Sequence, residues 1–188
     1  IRRAVPIIKS LLKAMRIPVL EADGYEADDV IGTLATEAGR QGIDTYMLTP
    51  DKDYGQLIGP NVKMYRPRHG GGYDVIGEKE VAAKYGIASA SQVVDLLALM
   101  GDASDNYPGC PGVGEKTAVK LINQFGNTEE LISHTDQLKG KMREKVEGAI
   151  DDIKMAKYLA TIRTDVPIDL DLDALKLQEP DTARLAEI

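Results

Sequence analysis

The stretch LMGDASDNYPGCPGVGEKTAVKLI, residues 99–122, decides how this chain is read. An apolar run of helical character ends in Asp102 and Asp105, and a glycine turn, Gly112-Val113-Gly114, follows closely. Such a turn suits a phosphate, whereas paired carboxylates repel one. The segment nearly spells a nucleotide-binding P-loop, with Gly109, four residues, Gly114 and then Lys116-Thr117. A P-loop needs its lysine directly after the second glycine, on a turn that leaves a strand. Here Glu115 intervenes and a helix and loop come first, so the nucleotide reading is excluded. What remains is helix, Pro-Gly-Val-Gly hairpin, helix. Its glycines leave amide N–H groups exposed at the start of the second helix, where the helix dipole favours a backbone phosphate of DNA or RNA. Lys116 and Lys120, with Lys139, Lys141, Arg143 and Lys145, form a candidate basic track for a duplex. A plain packing hairpin with a solvated lysine face explains the hairpin taken alone.

Outward from this stretch, acids recur in two further clusters: Glu26, Asp28 and Asp29, then Asp51 and Asp53. Each follows an expected strand, and strand carboxyl ends line the ligand crevice of open α/β sheets. The pair Asp102 and Asp105 would close the same pocket. Carboxylates gathered in one pocket need protonation or cations, and an all-oxygen set without clustered His or Cys points to Mg2+ or Mn2+. Two such ions would offset the formal −7 of these seven carboxylates to about −3 and make the pocket a phosphate acceptor. The competing account is helix capping, since acids in a first turn stabilise a helix by up to roughly 1 kcal/mol.

The rest of the chain fits an α/β protein with crossover connections. Residues 3–16 place Ile7, Ile8, Leu11, Leu12 and Met15 at helical spacing. Strands are expected at 17–22 and 44–50, a helix over 25–42, and a strand pair from NVKMYRP and GGYDVIG around a polar RHGG loop. From residue 78 onward helical patterns alternate with glycine-bearing turns, and TDVPIDLDLDALKL reads as an acidic, extended return over the surface. Three segments follow: residues 1–88, residues 89–164 and residues 165–188. At 188 residues with 43% hydrophobic content the chain can bury a core, and its lone Cys110 excludes an internal disulfide. No apolar run approaches the ~18 residues of a membrane span. The chain opens on Ile1 rather than Met, which suggests a fragment or a processed chain. His69 and His134 read as surface residues, Cys110 and Tyr54 as packing, and Ser104 as a backbone cap.

Together GYEADDVIGTLA (24–35), TPDKDYGQLI (49–58), LLALMGDASDNYPGCPGVGEKTA (96–118) and LATIRTDVP (159–167) resemble the flap endonuclease, or structure-specific 5′ nuclease, family, in the form of the 5′→3′ exonuclease domains of bacterial DNA polymerases I. The resemblance implies a PIN-like α/β nuclease core followed by a helix–three-turn–helix (helix-hairpin-helix) subdomain. It implies two-metal hydrolysis of DNA phosphodiesters in replication and repair, at a nick, 5′ flap or primer. It assigns metal binding to Glu26, Asp28, Asp29, Asp51, Asp53, Asp102 and Asp105, with Asp53, Asp102 and Asp105 closest to catalysis. It assigns DNA binding to Gly112, Val113, Gly114, Lys116, Thr117 and Lys120, with K+ held at the hairpin carbonyls.

It further implies a polymerase domain in the same full-length chain, a monomer, no membrane, and a bacterial cytoplasmic, nucleoid-associated location. The family's first strand, with an early metal-binding Asp, and its helical arch have no match here, and Ile1–Arg16 matches the helix after the arch. The core is therefore expected to be partial. Two rivals remain: a non-catalytic module that binds duplex junctions, and a phosphohydrolase for small phosphates. The acids weigh against the first, and the hairpin weighs against the second.

Overall fold

The computed structural model describes residues 3–188; Ile1 and Arg2 of the helix expected after the arch lie outside them. Helix α1 (Ala4–Ala14) forms where the apolar spacing predicts it, but Ile7 and Ile8 remain 55% and 52% exposed. The strand expected at 17–22 is absent. This run is irregular, with Ile17, Val19 and Leu20 exposed. A strand exists through its ladder partners, and among the described residues none runs beside it.

Helix α2 (Ala27–Arg40) begins at Glu26, whose backbone N–H donates to Asp29 Oδ2 at 3.4 Å. Asp28 and Asp29 sit in its first turn, at the positive end of the dipole. Strand β1 (Thr45–Leu48) pairs in parallel with β2 (Val62–Pro67), which pairs antiparallel with β3 (Tyr73–Ile76). The order is β1-β2-β3. Between β1 and β2 the chain makes a 3-10 turn at Lys52–Leu57, capped by Asp51, whose Oδ1 accepts Asp53 N–H at 3.0 Å. Met47, Val62 and Met64 face the core, whereas Tyr46, Leu48, Tyr65, Tyr73 and Val75 are exposed. Tyr65 and Tyr73 stack at 4.5 Å on that open face.

Helix α3 (Glu78–Tyr85) leads through a short turn to α4 (Val93–Met100), then α5 (Glu115–Phe125), α6 (Thr128–Ser133), α7 (Lys141–Gly148) and α8 (Ile150–Ala160). The continuous helical pattern KVEGAIDDIKMAKYLATIR, residues 145–163, breaks between Gly148 and Ile150 into α7 and α8. Helix α4 is the hub, because its apolar residues are too continuous for a one-sided stripe and are buried all round. It packs on α5, α8 and the 3-10 turn that carries Asp53. Its single buried charge, Asp95, accepts from Thr128 N, Thr128 Oγ1 and Lys157 Nζ at 2.9, 2.8 and 2.7 Å. One cluster of buried side chains runs from Met47 and Met64 through Leu96 and Leu99 to Ile122 and Ile153. The sheet and the helical part thus share a core. Beyond Val166 the chain is mostly exposed and closes on α9 (Thr182–Leu185), a helix the sequence pattern did not announce. It lies against α1, with Asp181 N–H donating to Ala14 O at 2.8 Å.

Candidate active site

Each acidic cluster is fixed by local backbone chemistry. Glu26 is exposed at the start of α2, and Asp28 and Asp29 are half-buried on its first turn; none follows a strand, because no strand forms at 17–22. Asp29 Oδ1 accepts Arg163 N–H at 2.9 Å, which straps the chain after α8 across the start of α2. Gly32 permits that approach: a Cβ there would lie 2.7 Å from Ile162 Cγ2 and 3.0 Å from Arg163 O. Asp51 and Asp53 leave the end of β1 on the 3-10 turn, as expected. Asp102 follows α4, and its backbone exchanges both hydrogen bonds with Tyr107 at 3.1 Å. This tight loop depends on glycine. A Cβ on Gly109 would lie 2.3 Å from Gly101 N, and Gly101 itself has φ +69°. Ser104 proves to be a donor rather than a cap: its N–H and hydroxyl both bond to Asp102 Oδ1. Asp105 is exposed on the same loop.

The structure brings Asp53 and Asp102 together through Lys52. Lys52 Nζ lies 2.5 Å from Asp102 Oδ2 and 3.3 Å from Asp53 Oδ1. The longer contact is an ion pair rather than a directed hydrogen bond, so Asp53 Oδ1 is buried without a donor. The hydroxyl of Tyr107 is likewise buried and unpartnered. Among the described residues, no three His, Cys, Asp or Glu side chains stand close enough to hold a metal ion as they are. The seven acids are therefore three capped turns, of which two are bridged by an ammonium.

The electrostatics reflect this arrangement. Hydrogen bonds from Lys52 and then Ser104 hold the Asp102 carboxyl well below the usual range. Burial raises that of Asp53; Lys52 opposes this, and the nearby charges of Asp51 and Asp105 add to it. Burial works against the charge on Lys52, but its bond to Asp102 and the charge of Asp53 outweigh it, so the ammonium is retained. Tyr54 is pushed up to about 12, first by burial and then by Asp28, Asp51 and Asp29, so the first two clusters share one field. Tyr107 also reaches about 12, through burial and then Asp53 and Asp102. A carboxylate oxygen buried without a donor, an ammonium already seated between two carboxylates and an all-oxygen donor set fit a hard divalent cation. Asp53 and Asp102 would hold it, with Asp51 and Asp105 nearest in charge.

The hairpin stands on the same loop. Val113 is buried as its anchor, and Val113 N–H donates to Cys110 O at 3.0 Å. Gly112 has φ +73°, which favours glycine, and Lys145 Nζ would lie 2.6 Å from a Cβ there. Gly114 caps α5 without a side-chain bond, and the first N–H groups of a helix have no acceptor within it. Lys116 is exposed, while Thr117 and Lys120 line a groove of about 390 Å3 with Lys139. Arg143 is committed to Glu147 at 2.7 Å. His134 is half-exposed, and Tyr54 and Cys110 are buried, as expected.

Three contributors escaped the sequence reading: Lys52, Gln56 and Arg163. Gln56 Nε2 donates to Asp53 O and Ala160 O at 3.0 and 2.8 Å, and its Oε1 accepts Ile162 N–H at 3.0 Å. It ties the acidic turn to the end of α8. The available signal was position: Lys52 between two acids, Gln56 one turn later, and Arg163 inside LATIRTDVP.

Fold and site define a mixed α/β class in which acidic turns and a helix–hairpin–helix share one core. Residues 1–86 match the family model described as 5′-3′ exonuclease, N-terminal resolvase-like domain, and residues 88–183 match 5′-3′ exonuclease, C-terminal SAM fold. The chain belongs to the 5′-3′ exonuclease family. It is 40% identical to DNA polymerase I of Bacillus caldotenax over 185 residues, 97% of this chain and 21% of that protein. It thus spans about a fifth of the length of such relatives. Among solved structures, the bacteriophage T5 D15 flap endonuclease, in complex with DNA and metal ions, superposes with a TM-score of 0.65 at 22% identity, over 80% of this chain and 53% of that one. The catalytic core of Rad2 in complex with DNA substrate superposes with a TM-score of 0.67 at 17% identity, over all of this chain and 64% of that one. These two likenesses establish a shared fold.

Proposed function

We propose that the full-length protein is a metal-dependent 5′→3′ exonuclease and 5′-flap endonuclease of the DNA polymerase I type. Its substrates would be duplex DNA with a nick, flap or primer, and its setting replication and repair in the bacterial cytoplasm at the nucleoid, as a monomer with a polymerase domain in the same chain. The observation that carries the reading is the pair Asp53 and Asp102, drawn together from two separate turns around a cation, with a buried carboxylate oxygen still unsatisfied. Membership of the family and a fold shared with DNA-bound and metal-bound nucleases support it.

Asp53 and Asp102 would hold a divalent ion, Mg2+ or Mn2+, with Asp105 beside them, and Glu26, Asp28, Asp29 and Asp51 would serve a second. Bound divalent ions supply an activated water and a stabilised leaving oxygen for in-line attack at phosphorus. The chain's own residues do the rest. Gln56 fixes the backbone of Asp53, the Gly101–Gly109 crossing fixes Asp102, and Arg163 N–H orients Asp29. Gly112, Val113, Gly114, Lys116, Thr117 and Lys120 would grip a different phosphate of the same duplex, with K+ on the hairpin carbonyls.

The test is a labelled 5′-flap duplex incubated with Mg2+ or with EDTA. Short 5′ products that need Mg2+ are expected. Retarded but uncut DNA would instead favour a junction-binding module. One observation speaks for that second reading: the acids assemble no three-ligand set among the described residues.

A further inference from the structure

Lys52 bridges the two acids of the candidate site but is itself neither a metal ligand nor a DNA contact. It lies between two acids in sequence, yet its side chain leaves its own turn and reaches the loop after α4. There it spans two carboxylates, Asp53 on the 3-10 turn packed against α4 and Asp102 on the loop that follows α4. Asp102 receives a close hydrogen bond at 2.5 Å, whereas Asp53 receives only the 3.3 Å approach. An ammonium has three tetrahedrally spread donors and cannot aim at every oxygen around it. Asp53 Oδ1 and the Tyr107 hydroxyl remain unpartnered beside it. The carboxylates are the more buried partners, at 15% and 10% exposure, while the lysine side chain is 44% exposed. Its ammonium therefore has an open path back to water.

We infer that Lys52 is a positioning residue that holds Asp53 and Asp102 at metal-binding separation in the metal-free protein and is displaced into solvent when a divalent cation enters. Without an internal cation, two adjacent carboxylates, one of them buried, would repel and spread the turn and loop apart. With it, the acids are gathered before the metal arrives. A divalent ion carries twice the charge and takes six or more oxygens, so it satisfies Asp53 Oδ1 where the ammonium does not. The metal then competes with Lys52, and metal affinity reflects the cost of expelling it. This inference rests on the proposed metal site.

The test is footprinting of the full-length protein with acetic anhydride, with modification of Lys52 read by peptide mass spectrometry across a Mg2+ titration. Modification of Lys52 should be low in EDTA and rise severalfold with Mg2+, while that of Lys116 stays constant. In Asp102→Asn, Lys52 should be modified readily even in EDTA. In Lys52→Met, a side chain of similar length without charge, the Mg2+ concentration for half-maximal cleavage should fall severalfold. Lys52→Arg, which keeps the cation, should stay near the parent protein. A lysine that serves only to stabilise the fold would leave the Mg2+ midpoint unchanged. Modification of Lys52 that is indifferent to Mg2+, or that falls with it, in a protein that still cuts DNA only with Mg2+ overturns this inference and leaves the nuclease reading standing. Absence of Mg2+-dependent cleavage in the parent protein overturns the nuclease reading itself.

Discussion

Asp53 and Asp102 carry opposite pH signatures in the metal-free protein. The Asp53 carboxyl titrates above its ordinary range, so the stability linked to it is full below that range and is lost as pH rises through the raised value. Asp102 titrates below its ordinary range; its contribution is present above that range and is lost as pH falls through the depressed value. Urea midpoints measured in EDTA across the acid range should show both limbs. Asp53→Asn should flatten the decline on the high side, and Asp102→Asn should flatten the loss on the low side. Tyr107 offers a second residue-scale check. Its buried hydroxyl has no partner, and an unsatisfied buried polar group costs about 1–3 kcal/mol. Tyr107→Phe should therefore raise the thermal midpoint in EDTA while changing the shape of the core little. A lower midpoint would mean that the hydroxyl is satisfied in solution. At this scale the sequence was informative about acids and silent about their partners. The DKD and GDASD motifs exposed Asp53 and Asp102, but the side-chain direction of Lys52 is set by a loop some fifty residues away.

At the scale of elements, two small features hold the acidic turns in place. Gln56 makes three hydrogen bonds, one within the 3-10 turn to Asp53 O and two to the end of α8 at Ala160 O and Ile162 N–H. Gln56→Ala leaves those backbone groups without it and should cost roughly 2–4 kcal/mol, taking net hydrogen bonds at about 1 kcal/mol each plus unmet desolvation. Chemical denaturation would measure this. Gly109→Ala forces a Cβ into the backbone at Met100-Gly101 and cannot be relieved by turning a side chain. It should cost more than the roughly 1–3 kcal/mol of ordinary overpacking and should disorder the Asp102 loop. Helices α2 and α5 were legible because their periodicity is local, and α4 because its continuous apolar run ends at Gly101. The strand expected at 17–22 was not, because apolar residues define a strand only where a neighbouring ladder receives them. The exposed stripe of α1 is the same lesson: spacing announces a helix, but only tertiary packing decides what its apolar face meets.

For the whole molecule, the negative net charge leaves room for the proposed DNA partner because lysines gather locally around the hairpin. Acids cluster on the turns near Asp53, and lysines cluster around the hairpin on α5 and near Lys139 and Lys145. If Lys116 and Lys120 contact phosphates, replacing either by alanine should reduce the slope of log affinity against log salt by about 1, with little effect on cleavage of bound DNA. The shared core makes the distance between hairpin and acidic loop a fixed property, since both leave the segment between α4 and α5. The most direct measurement is Mg2+-dependent cleavage of a labelled 5′-flap duplex by the full-length protein and its Asp53→Ala and Asp102→Ala variants, with DNA binding followed in parallel. Both variants should bind DNA as the parent does, yet lose cleavage by more than the roughly 10- to 100-fold typical of changes outside the direct ligands. Undiminished Mg2+-dependent cleavage in both variants would contradict the account.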